Sequence, residues 1–421
     1  MRRLVLILFV AVTGCTVATG ATSTAPTASV TATRSQAAQA LDPAPLSPAP
    51  DEPTFVAAAG AWVDAIDAAV AGRDVSVAVG LGNHIVYRNR SETPRVLASN
   101  EKLLTSMAAL DILGARYRFR TAAAATDTVR NGVLHDDLWL IGGGDPTLST
   151  TDLALLAARL ADAGLRRISG GIVGDTAAFD RGWWAPGWLP HISRAFVDRP
   201  TALRLAAPGA ATEAAAAAAF RTALLDAGIA VGGRSTTGAA PEGTETLATD
   251  RSPPLGVLLA HQNHESDNLY AELTTKLLGA VSTQRPGSTA AGARAIWSWA
   301  TTYGVEASVR DGSGLSDLDR TSALGVVTLL LAGQRRTWYP TFERSLPTGG
   351  AGTLAGRLIG LPVHAKTGTL FVRPASTLSG YVTTRNGRTV AFSVLTHDLP
   401  EATAEAIEDA VVRALAGASI G

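Results

Sequence analysis

Apolar side chains along this chain follow two spacings. Helical spacing marks residues 55–70, 99–113, 152–163, 210–227, 254–262, 267–278, 291–303, 322–332 and 401–416. Strand-like runs occupy 75–81 and 85–88, joined through Gly82-Asn83, and 119–127 and 132–140, turned at Asn131-Gly132. A short strand at 171–174 follows, then a pair at 377–383 and 389–396 turned at Asn386-Gly387. No unit repeats at a fixed period. The last helix carries Glu401, Glu405, Glu408 and Asp409 on its polar face, the wrong sign of charge for an anionic membrane. Its apolar stripe is expected against a sheet.

The front of the chain stands outside this pattern. Met1-Arg2-Arg3 precedes an apolar run over 4–12, which is too short for an ordinary membrane span and fits an export signal. The only cysteine follows in Val12-Thr13-Gly14-Cys15, which resembles the bacterial lipobox, whose cysteine is lipidated and becomes the mature N-terminus. The alternative is a chance cysteine inside an ordinary cleaved signal. A single cysteine allows no internal disulfide. Residues 16–52 are rich in Ala, Thr, Ser and Pro and too poor in large apolar side chains to bury a core, so they read as a flexible tether that holds the folded part off a membrane.

Composition narrows the class. The 421 residues are enough for two cores, and 46% apolar with 17% charged residues suits a globular protein. Net charge is zero, without the basic stripe that a nucleic-acid partner requires. Only three of the 36 Lys plus Arg residues are lysine: Lys102, Lys276 and Lys366. Genome composition explains their number but not their positions. An amine can lose its proton where a guanidinium cannot, so a retained lysine points to proton chemistry.

Two of the three lysines fall in motifs. Ser99-Asn100-Glu101-Lys102 opens a helix, which puts a hydroxyl and an amine one turn apart on one face. Serine needs a base to become a nucleophile, and lysine serves if burial or a second cation lowers its pKa. Lys366 is the candidate for that cation, and the helix N-terminus offers N–H groups to an oxyanion. Ser266-Asp267-Asn268 heads another helix. There Ser266 can relay a proton and also cap the helix, while the Asn268 amide can orient a carbonyl. Lys366-Thr367-Gly368-Thr369 is expected on a strand edging a cleft, with Lys366 and Thr367 holding a carboxylate and Gly368 admitting a substrate backbone. Each motif is weak alone. Ser-x-x-Lys, Ser-x-Asn and Lys-Thr-Gly in this order form the signature of penicillin-binding proteins and serine β-lactamases.

Other clusters read more plainly. His261-Gln262-Asn263-His264-Glu265 lacks zinc-site spacing and reads as a solvated helix end, so no metal is expected. Gly142-Gly143-Gly144-Asp145 lacks the form of a phosphate loop and reads as a structural turn. Trp183, Trp184 and Trp188 either form an aromatic platform or pack a loop against its neighbours.

Beyond the three motifs, the chain resembles the low-molecular-mass penicillin-binding proteins of the D-alanyl-D-alanine carboxypeptidase/endopeptidase type. The carrying residues run over 97–105, 142–148, 266–269, 311–316 and 365–370. The resemblance implies an α/β (α+β) transpeptidase-like fold, an antiparallel sheet flanked by helices, built from 53–113 and 250–421 with a smaller domain inserted at 114–249. The 167 positions between Ser99 and Ser266 exceed a compact β-lactamase, while the longest family members have more, so part of the insertion is expected to be reduced. The resemblance also implies that Ser99 attacks a peptidoglycan stem peptide at the penultimate D-Ala. Lys102 would act as base, Ser266 as proton relay, Asn268 as orienting amide, and Lys366 with Thr367 as carboxylate site. The backbone N–H groups of Ser99 and Thr369 would form the oxyanion hole beside Gly368. β-Lactams would be covalent inhibitors, and no cofactor is implied. Endopeptidase activity, a β-lactamase or esterase, and an inactive penicillin-binding scaffold stay open. Where the family shows Arg and Asn after Leu315-Ser316, this chain has Asp317, Leu318 and Asp319, from which a less basic cleft rim is expected.

Overall fold

Two β-rich segments from opposite ends of the chain close into one sheet in the computed structural model, which describes residues 52–189, 195–207, 209, 211–371 and 373–421. Cys15, the export segment and all of the tether except residue 52 lie outside the described residues. The six strands run, from edge to edge, Thr54–Phe55, His84–Asn89, Val75–Leu81, Thr389–Thr396, Ala375–Thr383 and Val363–Leu370. All neighbours are antiparallel except the first pair. Side chains alternate between two cores, as strand geometry requires. Val77 and Val79 join Ile66, Val411 and Leu415 beneath the helices Ala61–Val70 and Glu401–Gly417, whereas Ala78 faces Val327 and Leu330 of the helix Ala323–Gly333.

The second face carries the helices that bear on the site: Glu101–Leu113, Leu255–His264, Asn268–Thr283, Thr289–Thr301 and Tyr339–Ser345. Glu101–Leu113 is buried on every side from Glu101 to Leu110. Such a helix has no polar stripe, which suits a central element.

Between Glu101–Leu113 and Leu255–His264 the chain builds further sheets. A five-stranded sheet has the order Ser235–Gly238, Ile172–Asp175, Leu138–Gly142, Arg120–Ala125, Glu245–Arg251, and a three-stranded parallel sheet joins Ala230–Val231, Arg167–Ile168 and Val133–Leu134. With the helices Thr150–Asp162 and Glu213–Asp226 they bury an apolar cluster of their own, including Leu140, Leu156, Ile172 and Phe220. Entry and exit are tied together, Leu255 N donating to Tyr117 O at 2.7 Å and Phe119 N to Ser252 Oγ at 2.9 Å.

Several sequence expectations shift. The first helix begins at Ala61 rather than 55, because Thr54 and Phe55 pair with His84 and Ile85. In the expected 119–140 hairpin, Asn131-Gly132 closes only a local bridge between Arg130 and Val133. Arg120–Ala125 pairs instead with Leu138–Gly142. Glu408 is not on a solvent face: it is fully buried and accepts from Ser376 Oγ at 2.7 Å and Arg357 Nη2 at 2.8 Å. The final helix does pack on the sheet as expected.

Candidate active site

Ser99 sits in the 3-10 turn Ala98–Asn100 that leads into Glu101–Leu113. Ala98 holds a left-handed φ of 46°, which turns the chain out of the preceding strand. Asn100 Nδ2 donates to Thr377 Oγ1, and Thr377 in turn donates to Leu97 O at 2.9 Å, so the turn is pinned to the central sheet on both sides of Ser99.

Lys102 is fully buried one turn on. Its Nζ lies 3.1 Å from Ser99 Oγ, 2.7 Å from Asn268 Oδ1 and 2.6 Å from the Ser313 carbonyl. Burial pulls its pKa down to about 8, against the upward pull of the Asp311, Glu272, Asp267 and Glu101 carboxyls. An amine in that range gives up its proton close to neutral pH and can serve as a base.

Lys366 lies on the edge strand Val363–Leu370, as expected, and is also fully buried. Its Nζ donates to Ser266 Oγ at 3.0 Å and to Thr367 O at 2.9 Å. Burial, and then the charge of Lys102, hold it well below the ordinary lysine range. Thr367 Oγ1 donates to Thr353 Oγ1 at 2.8 Å, and Thr369 is exposed at the strand end. Gly368 is required sterically: a Cβ there would stand 2.8 Å from Ser99 N and 3.0 Å from Asn100 N. The edge strand is therefore pressed against the serine turn, with the backbone N–H groups of Ser99 and Asn100 at the contact.

Ser266 departs from the expectation that it caps its helix. Asp267 is the cap, its Oδ1 accepting from Tyr270 N at 3.1 Å, while Ser266 takes a left-handed φ of 55° that leaves its hydroxyl for Lys366. Asn268 is occupied at both ends, Oδ1 by Lys102 and Nδ2 by the Phe196 carbonyl at 2.9 Å.

Residues that sequence reasoning left without a role hold this arrangement. Glu272 Oε1 accepts from Gly312 N and Ser313 N, both at 3.0 Å. Asp311 accepts from Gly314 N at 2.6 Å, Ser316 N at 2.8 Å and the Trp188 indole N–H. These bonds shape the loop whose Ser313 carbonyl meets Lys102. Gly314, at φ 79°, lies so close to Ala98 O that a Cβ would overlap it at 1.8 Å. Lys276, the lysine without a motif, is buried and donates to Asp180 Oδ1 and Gly182 O, both at 2.7 Å, which fixes the segment leading into the tryptophans. Asn268, Glu272 and Lys276 are spaced i, i+4, i+8, which places them on one helix face. That spacing was the available signal.

The remaining clusters resolve as structure. Trp183 stacks on Trp184 at 5.4 Å and Trp184 meets Trp188 edge-on at 6.0 Å, so the trio packs as a unit over the Asp311 loop while Trp184 stays exposed. The 261–265 stretch is not simply solvated: Gln262 and Asn263 are buried and donate to Ser106 and Ser345. The turn expected at Gly142–Asp145 falls slightly later: Gly142 ends a strand, Gly143–Asp145 is loop and the chain turns at Pro146-Thr147, with Asp145 Oδ1 accepting from Thr147 N at 2.8 Å. The expected less basic rim changes too. Asp319 is fully buried and accepts from Arg310 N, and Asp317 is paired with Arg373 Nε at 2.7 Å, so neither presents a free charge.

Comparison with known proteins agrees with this geometry. The model of the D-Ala-D-Ala carboxypeptidase 3 (S13) family matches residues 63–207 and 192–418. The chain belongs to that family. Membership makes it a serine-type carboxypeptidase of the low-molecular-mass penicillin-binding group. It is 29% identical to a D-alanyl-D-alanine carboxypeptidase of Actinomadura sp. (strain R39), covering 84% of this chain and 82% of that one. It is also 29% identical to a carboxypeptidase of Mycobacterium tuberculosis over 74% of this chain and 73% of the relative. Its fold matches penicillin binding protein 4 from Haemophilus influenzae with a TM-score of 0.72 at 23% identity, covering 84% of this chain and 99% of that one.

Proposed function

We propose that the chain is an exported D-Ala-D-Ala carboxypeptidase that cleaves peptidoglycan stem peptides through an acyl-enzyme on Ser99. The observation that carries this reading is the buried Lys102 amine 3.1 Å from Ser99 Oγ, with its pKa brought down to about 8. Lys102 takes the hydroxyl proton as Ser99 Oγ attacks the carbonyl of the penultimate D-Ala. The oxyanion is held by the backbone N–H groups of Ser99 and Thr369. The C–N bond then breaks, the proton that Lys102 took passes through Ser266 to the leaving amine, and D-Ala departs. Water, deprotonated by Lys102, attacks the ester carbonyl, the bond to Ser99 Oγ breaks, and Lys102 returns the proton to Oγ, which frees Ser99. Lys366 and Thr367 take the terminal carboxylate, and that anion supplies the counter-charge that burial denies Lys366. Asn268 keeps Lys102 aimed at Ser99.

The separate sheets and apolar cluster of residues 120–251 support the view that 114–249 is an inserted domain within a catalytic unit of 53–113 and 250–421. Covalent binding of β-lactams follows from the same acyl chemistry. Intact-mass measurement after benzylpenicillin treatment should find one adduct, on Ser99, and Ser99→Ala should abolish both the adduct and D-Ala release from a pentapeptide while the protein stays folded. An adduct surviving that change would overturn the assignment.

Action on the cell wall places the enzyme outside the cytoplasm. Among the described residues no helix is long and apolar enough to cross a membrane. The lipobox-like Val12-Thr13-Gly14-Cys15 supports attachment through a lipid on Cys15. Cys15→Ser should move the protein from the membrane to the soluble exported fraction. Unchanged fractionation would rule out the lipid.

A further inference from the structure

The residues that lead into the Asp311 loop also line a separate depression of about 580 Å³. Its floor is the helix Thr289–Thr301, where Ala290 and Ala293 leave room beside Trp297 and Arg294. Arg310 and Ser308 line it from the segment before the loop. Trp297 is 45% exposed, a large apolar face that the fold leaves uncovered. No carboxylate lines the depression, and neither guanidinium has an ion-pair partner among the described residues. In a chain of zero net charge and 36 acidic residues, two unopposed arginines flanking an open indole are a local concentration of one sign.

We propose that this depression binds an acidic saccharide, with a sugar ring stacked on the Trp297 indole and a carboxylate held by Arg294 and Arg310. An indole face gives a flat ring a large contact at little conformational cost. Guanidinium matches a carboxylate with two parallel hydrogen bonds, which an ammonium does not. Two cations are too few to follow a polyanionic backbone, and the alanine floor suits a compact ring rather than a helix or strand. The loop beginning at Arg310 meets Lys102 through Ser313, so the saccharide would sit on the same wall that serves the reacting serine. In a cell wall, such a ligand is a muramic acid residue whose lactyl carboxylate carries no peptide. This site is independent of peptide cleavage, and the two readings fail separately.

The test is calorimetric titration of the full chain with N-acetylglucosaminyl-N-acetylmuramic acid free of stem peptide, beside di-N-acetylchitobiose, which lacks the carboxylate. The muramyl disaccharide should bind saturably, and chitobiose about tenfold more weakly. Trp297→Ala and the pair Arg294→Ala, Arg310→Ala should each weaken muramyl binding by about tenfold, the usual effect of removing a central contact residue. Benzylpenicillin acylation of these variants should be unchanged, which shows them folded, and prior acylation of the parent should leave sugar binding intact. Absence of saturable binding, equal binding of both sugars, or binding lost on acylation would each overturn the proposal.

Discussion

Lys102 and Lys366 are both fully buried amines, and each lies about 3 Å from a serine hydroxyl (3.1 and 3.0 Å). Their surroundings nonetheless differ. Lys102 has three acceptors, and four carboxyls offset part of its desolvation, so its pKa settles at about 8. Lys366 has a hydroxyl and a carbonyl as acceptors, and burial and a second cation both pull its pKa downward. The same residue type is thus set to two purposes by its neighbours. One amine can carry a proton back and forth near neutral pH. The other is held well below the ordinary lysine range by burial and a neighbouring cation.

The sharpest way to break this comparison is to fix the charge at the first position. Lys102→Arg keeps the cation but removes the base. Acylation by benzylpenicillin should slow by about a hundredfold or more, the usual worth of general-base assistance. Near-normal stopped-flow rates would show that charge rather than basicity is what position 102 supplies.

A smaller effect is expected where the two walls touch. In Gly368→Ala the new methyl would meet Ser99 N and Asn100 N, forcing the edge strand outward. Acylation should fall by about tenfold, with a stability loss of about 1–3 kcal/mol from overpacking. Denaturant titration and acylation rates, measured together, would separate the two. An unchanged rate would show that the contact between strand and serine turn is not needed for reaction.

The most delicate prediction concerns pH. In the parent, acylation should rise with pH through about 8, because only the neutral Lys102 amine can accept the serine proton. The Glu272 carboxyl, itself raised to about 8 by burial, holds the Lys102 pKa up when charged. Glu272→Gln removes that charge but keeps an oxygen for the Gly312 and Ser313 N–H groups. The midpoint of the pH–rate profile should therefore move to lower pH. Movement to higher pH, or none, would refute the assigned sign.

The candidate residues were legible in the sequence because they are short, ordered motifs, and the structure places Lys102 against Ser99 and Asn268, and Lys366 against Ser266. Regular hairpins and amphipathic helices were legible for the same reason: their period is local. What was not legible depends on distant partners. The strand at Thr54–Phe55 exists only because His84–Ile85 offers an edge. Glu408 sits on the polar side of its helix by pattern, yet Arg357 and Ser376 make its burial tolerable. Asp319 reads as a rim charge until the Arg310 amide is seen to claim it. Ser266 looked like a cap because Ser and Asp are both good caps, and only backbone geometry decides between neighbours.

One helix face carries Asn268, Glu272 and Lys276, which reach Lys102, the Ser313 loop and the tryptophan segment respectively. A single inserted residue anywhere between 268 and 276 would swing those after it by about 100° and detach them from their targets while leaving every short motif readable. Transplanting the three motifs into a foreign scaffold would likewise move the motif side chains without the spacing that aims them. For this chain, the unit of inheritance is a length of helix in fixed phase, and a homologue with intact motifs but a shifted phase should be sorted with the inactive proteins.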